Sequence, residues 1–190
     1  PTPAIGGVGL IKDYKKIVTM DLKSEENLIF VVGKTNGHID QSIFAREILN
    51  EKKGPPPEIN LFNEKNNGEN VLKLISEGLI ESAHDVSLGG IITSLSKMAI
   101  KGKKGFKLYK IKSLINKFEY YFGEDQARYI VEVKSTNINK FQKILDNNSV
   151  HYDEIGIVTK KDIIIDKEPI LHIDELIECN KNWLRDYMEN

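Results

Sequence analysis

The five residues Leu28-Ile29-Phe30-Val31-Val32 form an apolar run with no polar break, closed by Gly33. A half-exposed strand alternates apolar and polar side chains. A run like this one has no face to give to water, so it reads as a strand buried in a sheet. The rest of the chain must cover it, and segments with helical spacing follow. Ile43, Phe44, Ile48 and Leu49 share one helical face, capped by Asp40 or a neighbour, and Gly54-Pro55-Pro56-Pro57 stops that helix. A second helix is expected over about residues 60–77, with Leu61, Val71, Leu72 and Ile75 on its apolar side and Gly78 as its stop. Ile91, Ile92, Leu95, Met98 and Ala99 predict a third, closing at Lys101-Gly102.

Further strands are expected at 79–83, 106–109 and 129–133, with 152–158 and 163–165 paired to each other. Leu114-Ile115 reads as a short helix, and Phe141, Ile144 and Leu145 mark another. Asp174 caps a last helix that presents Leu176, Ile177, Trp183, Leu184 and Tyr187. Strands alternate with helices yet also come in adjacent pairs. The expected fold class is therefore α+β, a mixed α/β sheet with helices packed on it, not a simple doubly wound fold. Residues 4–11 and 15–20 read as a hairpin joined at Lys12-Asp13-Tyr14, marginal on its own and thinned by glycines 6, 7 and 9. Residues 1–22 are expected to be the remnant of a preceding domain and residues 23–190 the main domain.

A chain of 190 residues is long enough for one core and the edge of a second. With 27 basic and 28 acidic residues there is no electrostatic case for nucleic acid or an anionic membrane as partner. No apolar run approaches bilayer length. Cys179, the single cysteine, cannot form an internal disulfide, so nothing calls for an oxidising compartment and the expected location is the cytoplasm. The chain starts at Pro1-Thr2-Pro3, straight into AIGGVGLI, and looks truncated.

Three stretches carry candidate chemistry. In His84-Asp85-Val86-Ser87-Leu88-Gly89-Gly90 a strand ends and two glycines open a helix. Bare helix N–H groups attract phosphate, and Asp85 offers a carboxylate to a divalent metal beside it. The plainer reading makes Ser87 the helix cap and Asp85 a partner of the dipole. In 122–129, Glu124, Asp125, Gln126 and Arg128 crowd polar groups before an apolar strand: either a ligand loop at a strand end or a solvated loop with one weak ion pair. Thr35-Asn36-Gly37-His38 is either a phosphate-binding turn or a plain chain reversal. His38, His151 and His172 have no partner at metal or triad spacing, and Cys179 has no nearby base.

In this order and spacing, these stretches resemble the C-terminal end of the phosphoribosylformylglycinamidine synthase family, large (synthetase) subunit. PTPAIGGVGLI resembles the segment closing its second ATP-binding-type domain, NGHIDQSIFAREI its glycine-rich Gln-Ser helix start, AHDVSLGG its His-Asp-Val-Ser-Asp-Gly-Gly loop and FGEDQARYIV its Phe-Gly-Glu-Asp-Gln-x-Arg-Tyr run. GPPPEINLFNEKNNG adds to the match.

The resemblance covers essentially the whole chain and implies an aminoimidazole-ribonucleotide-synthase-like C-terminal domain. The implied reaction consumes formylglycinamide ribonucleotide, ATP with Mg²⁺, and ammonia supplied by a glutaminase subunit, with a small accessory subunit as a further partner. It also implies that the catalytic groups lie in other parts of the family's chain, so that this one is inactive alone. What remains is an auxiliary nucleotide or phosphate site at Ser87, Gly89, Gly90, Glu124, Asp125, Gln126 and Arg128, with Asp85 toward a metal. Leu88 stands where relatives usually carry Asp, and Asp40 where many carry Gly. The rival reading is a structural module with no ligand site.

Overall fold

β1 (Leu28–Val32) runs through the interior of the sheet, antiparallel to β4 (Tyr129–Val133) on one side and to β5 (Tyr152–Thr159) on the other. Ile29 and Val31 face one layer of helices and Phe30 and Val32 the other, all four fully buried, which is why the run has no polar member. The computed structural model describes residues 4–11, 13–111, 114–166 and 168–189. Its seven strands run in the order β2 (Ser82–Asp85), β4, β1, β5, β3 (Gly105–Leu108), β6 (Asp162–Ile165) and β7 (Leu171–His172). All neighbours are antiparallel except β3 and β6.

On one face, α3 (Gly90–Gly102), α4 (Lys117–Phe122) and the start of α6 (Ile173–Glu189) bring Ile91, Leu95, Met98, Tyr120 and Ile173 against Ile29, Val31, Phe106 and Val158. On the other, α2 (Leu61–Ser76) and α5 (Ile138–Asn147) set Val71, Leu74, Phe141 and Leu145 against Phe30, Val32, Val131 and Val133. At about 25 cal/mol per Å² of apolar surface removed from water, burial of such side chains is the main force holding the layers together.

Several expectations are corrected. Strands β5 and β6 do not pair with each other: β3 inserts between them, antiparallel to β5 and parallel to β6. Closeness in sequence is overruled because Phe106 and Leu108 must reach the core. The anticipated strand over 79–83 begins later, at Ser82, although Leu79 and Ile80 are buried. Residues 4–11 make no strand and residues 14–16 form a 3₁₀ turn, while Thr19 alone bridges Ser82 in parallel; of the anticipated turn, Lys12 lies outside the described residues. A glycine-rich segment with no sheet beside it has nothing to order it. The helix placed at Leu114-Ile115 is instead α4, set by Asn116, whose Oδ1 accepts from Phe118 N at 2.9 Å.

The first helix, α1 (Ile43–Glu47), is capped by Ser42, the neighbour of Asp40 that takes the cap position, and Ile48 and Leu49 lie exposed beyond it. In α2 the inward face is Asn67, Asn70, Val71 and Leu74, with Leu61 and Leu72 turned outward. In α6 the first turn is held down by Ile173, while Trp183, Leu184 and Tyr187 are exposed. Among the described residues no helix is long and apolar enough to cross a membrane.

One polar anchor fixes how the chain enters the sheet. Glu132, fully buried on β4, accepts from Lys23 N (2.8 Å), Ser24 N (3.0 Å), Asn27 Nδ2 (2.7 Å) and Ser82 Oγ (3.0 Å). A buried carboxylate is tolerated only when its lone pairs are satisfied in this way.

Candidate functional site

The loop between α4 and β4 brings together most of the polar residues singled out in the sequence. Its centre is Asp125, only 5% exposed. The Asp125 carboxylate accepts from three consecutive amides, Asn36 N (3.1 Å), Gly37 N (3.0 Å) and His38 N (3.1 Å). Three amides converge on one anion because Gly37 takes φ +78, a turn that forms an anion-binding concavity. The turn 35–38 is thus an anion receptor, and its anion is this chain's own carboxylate.

Arg128 closes the other side. It is 2% exposed and gives Nε to Asp125 O (3.2 Å), Nη1 to Thr35 Oγ1 (3.2 Å) and Nη2 to Gly123 O (2.7 Å), with Asp125 Oδ2 at 3.5 Å. Burial pushes the guanidinium pKa down and the Asp125 charge opposes that shift. A buried cation with this set of acceptors holds the loop to the end of β1.

Glu124 does the same for the helix starts. Its Oε1 accepts from Ile43 N and from Gly89 N, both at 2.8 Å. Gly90 N donates to Ser87 O at 3.0 Å. The amides of Gly89 and Gly90, where α3 begins, are therefore engaged within the chain. Ser87 is not the cap; Gly89 holds that position without a side-chain bond. The double glycine has a packing cause: a Cβ on Gly90, at φ +69, would lie 2.6 Å from Tyr121 O and 2.7 Å from Gly123 O. Only a residue without a side chain lets α3 start against the end of α4.

Asp85 ends β2 with its side chain 62% exposed and His84 Nδ1 at 3.0 Å from its Oδ1, while His84 Nε2 is buried with no hydrogen-bond partner among the described residues. Among the described residues no three His, Cys, Asp or Glu side chains converge as a metal site. A cation at Asp85 would take its other ligands from water and phosphate, so these residues do not by themselves make a magnesium site.

Two hollows flank Gln126 and Ala127. The larger, about 670 Å³, is bounded by residues 34–40, the loop before α2, the α2 residues Asn63 and Asn67, and the 125–127 turn. The smaller, about 350 Å³, runs from Asp85, Ser87 and Leu88 to Glu64 and Tyr129. Pro57, Gln126 and Ala127 belong to both. Ala127 takes the left-handed conformation, φ +58, and is held there by Asn67 Nδ2 donating to its carbonyl at 2.8 Å. Gln126 and Ala127 thus form a ridge between the two hollows. Burial raises the Tyr129 hydroxyl pKa, with Glu64 and Asp85 adding to the effect.

Of the residues singled out, Asp85, Ser87, Glu124, Gln126 and Arg128 border the smaller hollow, Asp125 and Gln126 the larger, and Gly89 and Gly90 lie behind them at the α3 start. Asn60, Asn63, Asn67 and Lys34, which complete the larger hollow, were not singled out in the sequence. Their signal was the asparagine-rich run INLFNEKNNGEN, in which the inward positions of a helix are carboxamides instead of aliphatics. His38 borders the larger hollow and lies 3.1 Å from Pro55 O, whereas His151 and His172 pair with Asp153 and Asp174 away from it. Cys179 is exposed on α6.

Comparison with known proteins bears on the family and the fold. Residues 24–167 match the family described as AIR synthase related protein, C-terminal domain. Along all 190 residues the chain is 65% identical to the phosphoribosylformylglycinamidine synthase subunit PurL of Pelagibacter ubique, covering 26% of that protein. The chain thus spans about a quarter of the length of the curated relatives it matches. Among solved structures, Thermotoga maritima PurL complexed with FGAR superposes with a TM-score of 0.70 at 18% identity, over 86% of this chain and 30% of that one. PurLQS from the same organism gives 0.66 at 19% identity, over 86% and 28%. These two likenesses show the fold. Well over half of the sequence lies within the matched family, and the chain belongs to it: it carries the C-terminal domain of the AIR synthase related proteins.

Proposed function

We propose that this chain acts as a C-terminal domain of an ATP-dependent ligase that makes formylglycinamidine ribonucleotide. The substrates are formylglycinamide ribonucleotide, ATP and glutamine-derived ammonia, and the other products are ADP and phosphate. The observation that carries this reading is the 65% identity to a phosphoribosylformylglycinamidine synthase subunit along the full 190 residues. In this reaction the amide oxygen of the substrate takes the γ-phosphoryl group of ATP, and ammonia then displaces phosphate from the activated carbon. ATP and Mg²⁺ serve the longer polypeptide, a glutaminase and a small accessory subunit complete the assembly, and the reaction takes place in the cytoplasm.

Within that enzyme residues 1–22 belong to the preceding domain and residues 23–190 form the domain described above. The chain's own part is scaffold plus an auxiliary ligand hollow at the Gln126–Ala127 ridge. Ser87, Gln126 and the exposed Asp85 face a ligand, while Glu124, Asp125, Arg128, Gly89 and Gly90 hold the hollow in shape. The second reading is a purely structural module. It is favoured by the number of loop amides already bonded within the chain.

The test is phosphate release and amidine formation from formylglycinamide ribonucleotide, ATP and ammonia. The longer polypeptide is expected to turn over and the 190-residue chain to give none. Turnover by the 190-residue chain alone sinks the proposal. To separate the two readings, Gln126→Ala in the longer polypeptide is expected to lower turnover at unchanged melting temperature. Unchanged turnover favours the structural module.

A further inference from the structure

We infer that the exposed apolar stripe at the end of α6 is a self-association surface, and that it pairs with the same stripe of a second copy of this chain. This goes beyond the reaction proposed above and does not rest on it.

The sequence of α6 is that of a helix with a core to face. Leu176 and Ile177, Trp183 and Leu184, and Tyr187 and Met188 follow one another at spacings of seven and four residues, so all six lie on one side of the helix. The chain supplies a core for the first pair only. Leu176 and Ile177 pack partly buried on the cluster that holds Ile173, and among the described residues none beyond them enters either core. Trp183 is 60% exposed, Leu184 53%, Tyr187 74% and Met188 74%. A helix end of about twelve residues is marginal in water by itself, and an amphipathic one gains its stability from packing its apolar face.

The chemistry of the stripe fits a copy of itself. Among the described residues no charged side chain interrupts it, and Asn180, which lies between the pairs on the same side, is uncharged. Two such stripes close on each other without bringing like charges into the contact. The net charge of -1 sets up little repulsion between copies at longer range. A two-fold axis lets each stripe cover the other, so neither stays open for further chains.

The area is sufficient as well. With roughly 200 Å² for a large side chain, the four exposed residues leave about 500 Å² uncovered in each copy. A symmetric pair then removes about 1,000 Å² from water, the lower bound for a specific interface.

The experiment is sedimentation equilibrium of the 190-residue chain over about 1–300 µM, with the emission of Trp183, its single tryptophan, followed in parallel. The mass is expected to rise from 21.6 kDa to twice that value, with a midpoint at about 10–100 µM for a contact this small. Over the same range the emission should move to shorter wavelength as the indole leaves water. Tyr187→Lys places a charge in the contact and should weaken association at least about tenfold. Glu178→Ala, on the polar side of α6, should leave it within about threefold. Neither residue packs into a core, and circular dichroism with the melting temperature establishes that both variants keep helix and fold. A chain that stays monomeric across the range overturns the inference, whatever else then covers the stripe. So does a dimer in which Tyr187→Lys has no effect or the Trp183 emission does not move, because its contact would lie elsewhere on the molecule.

Discussion

The loops 84–90 and 122–128 look alike in sequence, each with at least one acid, an uncharged polar residue and glycine next to a strand. In the structure they part. Asp125 and Arg128 are 5% and 2% exposed and held by several hydrogen bonds, whereas the Asp85 side chain is 62% exposed and lies 3.0 Å from His84 Nδ1. A dense set of polar residues at a strand end is therefore no measure of ligand binding. What separates a ligand loop from a loop that holds the fold together is whether its donors and acceptors already have partners inside the chain.

Substitutions put that contrast to the test. The largest effect is expected from Asp125→Ala, which strips three amides of their acceptor and leaves Arg128 buried without its counter-charge. Loss of one member of such a pair costs about 3–5 kcal/mol. Urea unfolding followed by circular dichroism measures it, and a loss under about 1 kcal/mol would put Asp125 in the same class as Asp85 and dissolve the comparison. Next comes Gly90→Val, where a side chain would overlap Tyr121 O and Gly123 O at a positive φ. About 2–4 kcal/mol is expected, read as a lower midpoint with the same denaturant slope.

Glu124→Gln keeps an acceptor for Ile43 N and Gly89 N but removes its charge, so about 1 kcal/mol should be lost. Glu124→Ala, which frees both amides, should in addition gain binding of inorganic phosphate, visible by calorimetry. Smallest of all, Asp85→Ala should shift stability by no more than about 0.5 kcal/mol. A larger loss in thermal melting would show that the His84–Asp85 contact supports the edge of the sheet.

Much of the fold was legible because local rules and the tertiary environment agree. Residues 28–32 are apolar throughout because both faces of β1 are covered, and the expected bounds of β4 hold as read. The Met98–Ala99 face of α3 is buried as its spacing predicts. The inward face of α2 was misread because Asn67 and Asn70 occupy positions where aliphatic residues are anticipated, one bonded to Ala127 O and the other to Asn66 O. The place of β3 between β5 and β6 was equally hidden, since strand pairing over long separations leaves no periodic trace in sequence.

Sequence alone reveals which strand has both faces covered and which family the ordered motifs resemble. The tertiary structure alone decided that Asp125 fills the 36–38 turn, that Glu124 bridges two helix starts, and that Glu132 anchors residues 23–27. The reason is physical. Burial is written into the spacing of a single segment, but a carboxylate's role depends on which amides, far away along the chain, the fold brings within about 3 Å of it.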